Sequence, residues 1–264
     1  MKILLATIRR SHLAGRAVLC PPSGTGRKTN VVLPSRGGQR TARPTLAGAL
    51  LLVLATISVL ALAGCSAANF PGFTASQNFD DVKPGELPSA WVGGITGSGQ
   101  AQWAVVAVAD APSRPNVLQQ SGQAKFCWCA QTNLSLRDGF VAVKFKPVSG
   151  KEDQAGGLIW RWQDGDNYYV ARANALENNV TIYHTLHGVR TEKGRASFDV
   201  TSGQWHDLRV DFHGPHFKVT FDGRIALQWN DETFKEAGAV GVWTKADSVT
   251  QFDNFQWGTG GDSL

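Results

Sequence analysis

Apolar and polar residues alternate with a period of two over most of the C-terminal two thirds of this chain, where helical periodicity is almost absent. Short apolar runs are separated by Gly, Asn, Asp or Pro, the residues that favour tight turns. The clearest hairpin is the segment HFKVTFDGRIALQW at 216–229, in which Asp222 and Gly223 supply the turn. About a dozen strands at this spacing predict an all-β domain, built as an antiparallel two-sheet sandwich.

The pattern also sets the expected boundaries. The globular domain is predicted at 78–258, preceded by a tether at 65–77 and followed by a tail at 259–264. One short helical turn is expected at 231–235. The predicted strands are 103–109, 117–120, 125–129, 139–147, 156–163, 167–173, 179–186, 197–200, 205–213, 216–221, 224–229, 239–244 and 250–257.

The net positive charge of the chain comes from its N-terminal segment. Residues 1–64 hold nine Lys and Arg and no Asp or Glu. Of the 26 basic and 21 acidic residues in the whole chain, 17 basic and all 21 acidic ones follow, so the remainder has a net charge of −4. The overall +5 therefore gives no reason to predict nucleic-acid binding.

The segment 45–64 has the composition of an export signal. It follows arginines, and its apolar part, LAGALLLVLATISVLALAG, has no charged residue. The ending Leu-Ala-Gly-Cys resembles the bacterial lipobox, which implies cleavage before Cys65 and lipidation of its thiol. The alternative is a single transmembrane helix. Residues 1–44 are either a disordered basic leader or the result of a misplaced translation start. Both interpretations of 45–64 predict an exported, membrane-tethered domain in the cell envelope, on the periplasmic or extracellular side.

The stretch 156–179 contains the most distinctive pattern of the domain. It predicts a strand, a turn of Asp and Gly residues, and a second strand whose faces differ in character. Leu158, Trp160 and Trp162 are expected on a core face of the first strand. Tyr168 and Arg172 share one face of the second strand with Asn174, a mixture that predicts either a solvated sheet face or a binding surface.

Further polar and aromatic residues extend this pattern. Arg forks and Asn amides recognise hydroxyl and carboxylate groups, and aromatic rings stack on sugar faces, so the mixture suits glycan recognition. The solvated face remains the alternative. The candidate ligand-binding residues are Tyr168, Arg172, Asn174, Asn178, Asn179, His187, Arg190, Trp243, Lys245 and Asp247.

The order of these segments carries a resemblance. GGLIWRW, DGDNYY and ARANALENN are followed by GQWHDLRVDF, HFKVTFDGRIAL and DETFKEAGAVGVWTKADSVTQFDNF. Together they resemble the concanavalin A-like lectin and glucanase superfamily of laminin-G-like jelly rolls. More narrowly, they are similar to exported bacterial 3-keto-disaccharide hydrolase (DUF1080-like) domains, which are loosely labelled relatives of family 16 glycoside hydrolases. The resemblance implies a jelly roll and a function connected with sugars.

Whether the domain is an enzyme is left open by the residues. Retaining glycosidases with this fold resemble one another in an E-x-D-x-x-E strand that supplies two carboxylates, and none of the six Glu begins that pattern. A carbohydrate-binding module is the first hypothesis, a sugar hydrolase or lyase the second, and a structural envelope or adhesion module the third. For the enzyme, the candidates are Arg172, His184 or His187, Asp164 or Asp166, Lys245 and Asp247. Asp164 and Asp166 are expected to serve the turn instead.

Two further sites follow from the sequence. Many jelly rolls of the superfamily hold a structural calcium ion near their terminal strands, which implies Asp80, with Asp81 as the alternative, and Asp253 as ligands. Cys127 and Cys129 point to the same strand face and are expected as two buried, unbonded thiols, with a strained disulfide as the alternative.

Overall fold

A computed structural model describes residues 72–260 of the chain. All regular secondary structure in this range is β-strand. In chain order the strands are β1 (Thr74–Gln77), β2 (Trp91–Gln100), β3 (Trp103–Ala107), β4 (Asn116–Gln120), β5 (Gln123–Leu136), β6 (Gly139–Ser149), β7 (Ala155–Asp164), β8 (Asn167–Asn174), β9 (Asn179–Leu186), β10 (Val189–Ser197), β11 (His206–His213), β12 (His216–Phe221), β13 (Arg224–Asn230), β14 (Gly238–Ala246) and β15 (Val249–Gly258).

The strands form two antiparallel sheets. The eight-stranded sheet has the order β13-β12-β11-β6-β15-β4-β3, and β1 pairs with β15. The seven-stranded sheet has the order β10-β9-β8-β7-β14-β5-β2. The chain passes repeatedly from one sheet to the other, so neighbouring strands come from distant parts of the sequence. The predicted all-β, antiparallel two-sheet sandwich is confirmed.

Alternation along the strands builds the main core between the sheets. Leu158 and Trp160 of β7 and Tyr169 of β8 face Phe212 and Phe217 of the opposing sheet and are fully or almost fully buried. The ring of Trp160 stacks on that of Tyr169 at a centroid distance of 5.3 Å. Because every second residue of a strand points to the same face, these side chains form a continuous apolar layer.

The outer face of the seven-stranded sheet holds a second apolar cluster. It contains Phe126 and Trp128 of β5, Tyr168 of β8, Tyr183 of β9 and Trp243 of β14, all buried. Rings that would be exposed on a flat outer face are buried here because the sheet curls around them. The cluster therefore acts as a small core inside a concave face.

A bulge in β7 contributes to this curvature. The pairing of β7 with β8 shifts between Trp160 and Asp164, and Arg161 adopts a left-handed backbone conformation with φ 46°. A bulge increases local twist and turns the following residues to the other face. Trp162 consequently packs with the second cluster, so the prediction that it shares the core face of Trp160 is wrong.

The predicted strands match most of the observed ones, with three exceptions. No strand was predicted at β1 or β2. Of β10, only the last residue lies in a predicted strand. The helical turn expected at 231–235 does not form. No helix in the range 72–260 is long and apolar enough to cross a membrane. The leader, the signal segment and Cys65 lie outside the described residues, and their predictions stay untested.

Candidate functional site

A pocket of about 640 Å³ opens on the concave face of the seven-stranded sheet. Its lining comes from the end of β2, the start of β5, the end of β14, the loop before β7 and the start of β10, so the curled sheet brings its two edges together. The lining residues are Ser98, Gly99, Gln123, Ala124, Lys125, Phe126, Glu152, Arg190, Lys245 and Ala246.

A bulge in β5 places two adjacent residues in this pocket. In the pairing of β5 with both β2 and β14, the register shifts between Ala124 and Phe126, so Lys125 is left without a partner residue. In a regular strand Lys125 and Phe126 would point to opposite faces. The extra residue removes that alternation locally. Phe126 supplies part of the apolar floor, and Lys125 stands beside it with its ammonium group 5.5 Å from the ring centroid.

Arg190 lines the pocket and lies close to three aromatic rings. Its guanidinium carbon lies 4.2 Å from the ring centroid of Tyr183, 4.4 Å from that of Phe126 and 5.5 Å from that of Trp243. Burial lowers the pKa of Arg190 from its ordinary value, but arginine remains protonated at neutral pH. Cation–π attraction to these three rings stabilises the position of the guanidinium group.

A hydrogen-bonded layer lies beneath Arg190. Arg172 donates hydrogen bonds to the carboxylate of Glu177 at 2.8 Å, to the hydroxyl of Tyr183 at 3.1 Å and to the amide oxygen of Asn179 at 3.3 Å. Asn179 in turn donates to Glu177 at 2.9 Å. Burial opposes the charges, but the hydrogen bonds bring the pKa of Glu177 to about 2. Arg172 therefore positions Tyr183, on which Arg190 stacks, rather than lining the pocket.

Lys245 is held by the loop before β7. Its ammonium group pairs with Asp153, whose other carboxylate oxygen accepts a hydrogen bond from Asn174. The loop itself is fixed by Asp247, whose carboxylate accepts hydrogen bonds from the backbone amides of residues 151, 152 and 153. Burial raises the pKa of Asp247, but these three amides lower it more, so its net shift is downward. Asp247 therefore positions Glu152 and Asp153 and does not line the pocket.

The remaining predicted residues lie away from the pocket lining. Tyr168 and Trp243 are fully buried in the second cluster. Asn178 has a positive φ, and its amide oxygen accepts a hydrogen bond from the backbone of Val200. His187 occupies the turn between β9 and β10, where its backbone amide donates to Asn167. Of the ten predicted ligand-binding residues, the pocket thus brings together Arg190 and Lys245.

The catalytic candidates are dispersed. Asp164 accepts hydrogen bonds from the backbone of Asp166 and the side chain of Asn167, which confirms its role in the turn. His184 is paired in register with Tyr169 and contacts Thr233 at 3.0 Å, on the side of the sheet that faces the main core. Asp164 and His184 therefore do not line the pocket that contains Lys245.

Asp80 and Asp253, which were predicted to bind calcium, come from neighbouring parts of the fold. Asp80 follows β1, and Asp253 lies on β15, the strand that pairs with β1. Asp253 is fully buried, and both of its oxygens accept hydrogen bonds, from the backbone and hydroxyl of Ser113 and from the backbone of Asn254. Asp80 accepts a hydrogen bond from the backbone of Asn116. Both carboxylates are thus engaged by hydrogen-bond donors, a poor fit to a cation ligand set, and calcium binding stays a prediction.

Cys127 and Cys129 are buried and unbonded, as predicted. Burial raises the pKa of Cys127 to about 11 and that of Cys129 further.

Several residues of the site were missed by the sequence interpretation. Lys125, Phe126 and Glu152 line the pocket, while Tyr183 and Glu177 support it. One signal was available: Phe126 and Trp128 alternate with the two cysteines, so placing the thiols on the core face assigns both rings to the outer face. Glu152 lies in a loop, where no periodicity identifies it.

Comparisons with known proteins concern the fold. No protein-family model matches the chain, and no match was found among curated proteins. The carbohydrate binding module CBM66 from Bacillus subtilis aligns with a TM-score of 0.52 at 18% identity, over 63% of this chain and 94% of that one. A Bacillus licheniformis beta-glucanase aligns with a TM-score of 0.47 at 10% identity, over 71% of this chain and 98% of that one.

The domain has a concanavalin A-like jelly-roll fold, as predicted. Identities this low show the fold alone. The narrower resemblance to 3-keto-disaccharide hydrolases stays a prediction.

Proposed function

We propose that this domain binds carbohydrate in the pocket formed by β2, β5, β10 and β14. The observation that carries the proposal is Arg190, a cation fixed on three aromatic rings at the edge of a pocket that also offers Lys245, Glu152 and Gln123. Phe126 and two alanines provide apolar surface for the C–H faces of a sugar, and the charged and amide groups suit its hydroxyls. The fold similarity to a carbohydrate binding module supports carbohydrate binding by this domain.

Binding suits the pocket better than hydrolysis does. Glycoside hydrolysis by the usual route needs two carboxyl groups on either side of the scissile bond. Among residues 72–260, Glu152 is the one carboxylate in the pocket lining, and Asp153 behind it is buried and paired with Lys245. A positioned acid and base are therefore not both present in the described lining.

The experiment is a glycan array followed by calorimetric titration of the strongest ligand, with the purified protein and its Arg190→Ala variant. We expect Arg190→Ala to weaken binding at least about tenfold, since a hydrogen bond to a charged group contributes roughly 1.5–3 kcal/mol. The matched control is Arg209→Ala, which removes an arginine that stacks on Phe140 at 3.9 Å in the other sheet. Equal losses in both variants, or no glycan binding by the wild type, would contradict the proposal, and release of sugar from a glycoside panel would favour the enzyme.

We further infer that the domain is exported and held at a membrane by a lipid on Cys65. The support is the uncharged segment before Leu-Ala-Gly-Cys and the basic residues that precede it. A thiol with more than one attached acyl chain gives stable anchoring. Growth with a labelled fatty acid should label the wild-type protein and leave Cys65→Ser unlabelled, and equal labelling of both would refute lipidation at this residue.

A further inference from the structure

Positive side chains outnumber negative ones in the lining of the pocket. The lining has three positive side chains, Lys125, Arg190 and Lys245, and one negative side chain, Glu152. Lys245 is neutralised by Asp153. In the range 72–260, Lys125 and Arg190 have no carboxylate within ion-pair distance, which leaves two uncompensated cations facing one exposed carboxylate. The pocket therefore favours a ligand with negative charge.

The hydrogen-bonding state of Arg190 leads to the same conclusion. Its Nη1 atom is buried and has no hydrogen-bond partner among residues 72–260. A buried donor without an acceptor costs roughly 1–3 kcal/mol, and such groups are uncommon in folded proteins. Nearby, Arg172 pairs with Glu177, and Arg195 pairs with Glu192. Among residues 72–260, Arg190 and Lys125 are the cations of the pocket lining that have no carboxylate partner.

The geometry of Arg190 favours one kind of anion. The guanidinium carbon of Arg190 lies 4.4 Å from the ring centroid of Phe126 and 4.2 Å from that of Tyr183, so two aromatic rings flank the cation. An arginine edge forms two parallel hydrogen bonds with a planar carboxylate. Lys125 stands in the same pocket on the β5 bulge and can add a second positive charge.

We infer that the ligand of this pocket is an acidic glycan, recognised through the carboxylate of a uronic acid residue that pairs with Arg190 and Lys125. This inference rests on the proposed carbohydrate binding and names the class of sugar. The apolar floor of Phe126, Ala124 and Ala246 would contact the sugar ring, while Glu152 and Gln123 can accept or donate hydrogen bonds to its hydroxyls.

The test compares sugars that differ in their anionic groups. The probes are oligogalacturonates and alginate oligosaccharides, the methyl esters of both, dextran sulfate and neutral dextran. They are titrated into the purified protein, into Arg190→Gln and Lys125→Gln, and into the off-site control Arg209→Gln. We expect at least one free acid to bind at least tenfold more tightly than its ester. Raising the sodium chloride concentration from 50 to 500 mM should reduce that preference, since salt screens charge.

The variants separate recognition from folding. Arg190→Gln should remove the preference for the acid, Lys125→Gln should reduce it, and Arg209→Gln should retain it, with all three showing wild-type circular dichroism. Equal affinity for acids and esters, or binding of dextran sulfate alone, would overturn the inference. Binding confined to neutral sugars of the glycan array would also overturn it while leaving the proposed function intact. Absence of all glycan binding would overturn both.

Discussion

The hydroxyl of Thr96 on β2 lies 2.8 Å from the hydroxyl of Tyr168 on β8, although three strands separate β2 from β8 in the sheet. At about 4.8 Å per strand, a flat sheet would hold the two strands about 19 Å apart. The contact therefore shows that the seven-stranded sheet is strongly curled. Thr96 also donates to the carbonyl of Gly165 in the β7–β8 turn, so its hydroxyl accepts the proton of Tyr168.

We expect this contact to stabilise the curled sheet. Thr96→Val keeps the shape of the side chain but removes the acceptor that Thr96 offers to the hydroxyl of Tyr168 and the donor that it offers to the carbonyl of Gly165, which costs roughly 1–3 kcal/mol. Tyr168→Phe should cost a similar amount, and the double variant should lose less than the sum, because the two residues share one interaction. Urea unfolding of all four proteins measures these free energies, and strict additivity would show that the hydroxyls do not interact.

Arg161 is expected to be the arginine whose removal destabilises the domain most. Its side chain is 2% exposed and donates to the carbonyls of Arg137, Phe234 and Gly214. Arg161→Met would leave these acceptors unsatisfied, at roughly 1–3 kcal/mol for each one that water cannot reach, so a loss of at least about 2 kcal/mol is expected.

The matched control for this prediction is Arg195→Met. Arg195 pairs with Glu192 on the surface, with a side chain that is 46% exposed, and such pairs contribute at most about 1 kcal/mol. Equal unfolding free energies for the two variants would mean that Arg161 does not anchor the bulge of β7.

The two described thiols should be unreactive in the folded protein. Because burial raises the pKa of Cys127 to about 11, little thiolate is present at pH 8, and Cys129 is fully buried. Iodoacetamide should leave both unmodified until denaturant is added, after which peptide mass spectrometry should find both alkylated. A cross-linked peptide, or alkylation before unfolding, would contradict the buried, unbonded state.

The sequence was sufficient to predict the sandwich, because period-two alternation and turn residues are local signals that most strands carry. It was insufficient where a bulge breaks the alternation. Trp162 changes face after the bulge at Arg161, and Lys125 reaches the pocket beside Phe126 because of the bulge in β5. The position of a bulge depends on how partner strands pair, and those partners are distant in sequence. The sequence predicted that the polar face of β8 is either a solvated face or a binding surface. Curvature instead buries Tyr168, Arg172 and Asn174 and leaves the pocket to residues of other strands.

Glu177 should make the stability of the domain depend on pH in the acidic range. Burial raises its pKa, but hydrogen bonds from Arg172 and Asn179 outweigh burial and bring the pKa from an ordinary 4.5 to about 2. At pH values between these two, the unfolded chain binds a proton that the folded protein does not, so stability rises with pH. The contribution is therefore present above about pH 4.5 and is lost as the pH falls towards 2.

The comparison with Glu177→Gln isolates this contribution. Asp231 has its pKa lowered to about 2 as well, so the variant should retain part of the acid sensitivity and lose the part due to Glu177. Urea midpoints measured from pH 2 to 7 should therefore fall less steeply for Glu177→Gln than for the wild type below pH 4.5. Parallel curves for the two proteins would show that the pair of Arg172 and Glu177 does not couple to folding.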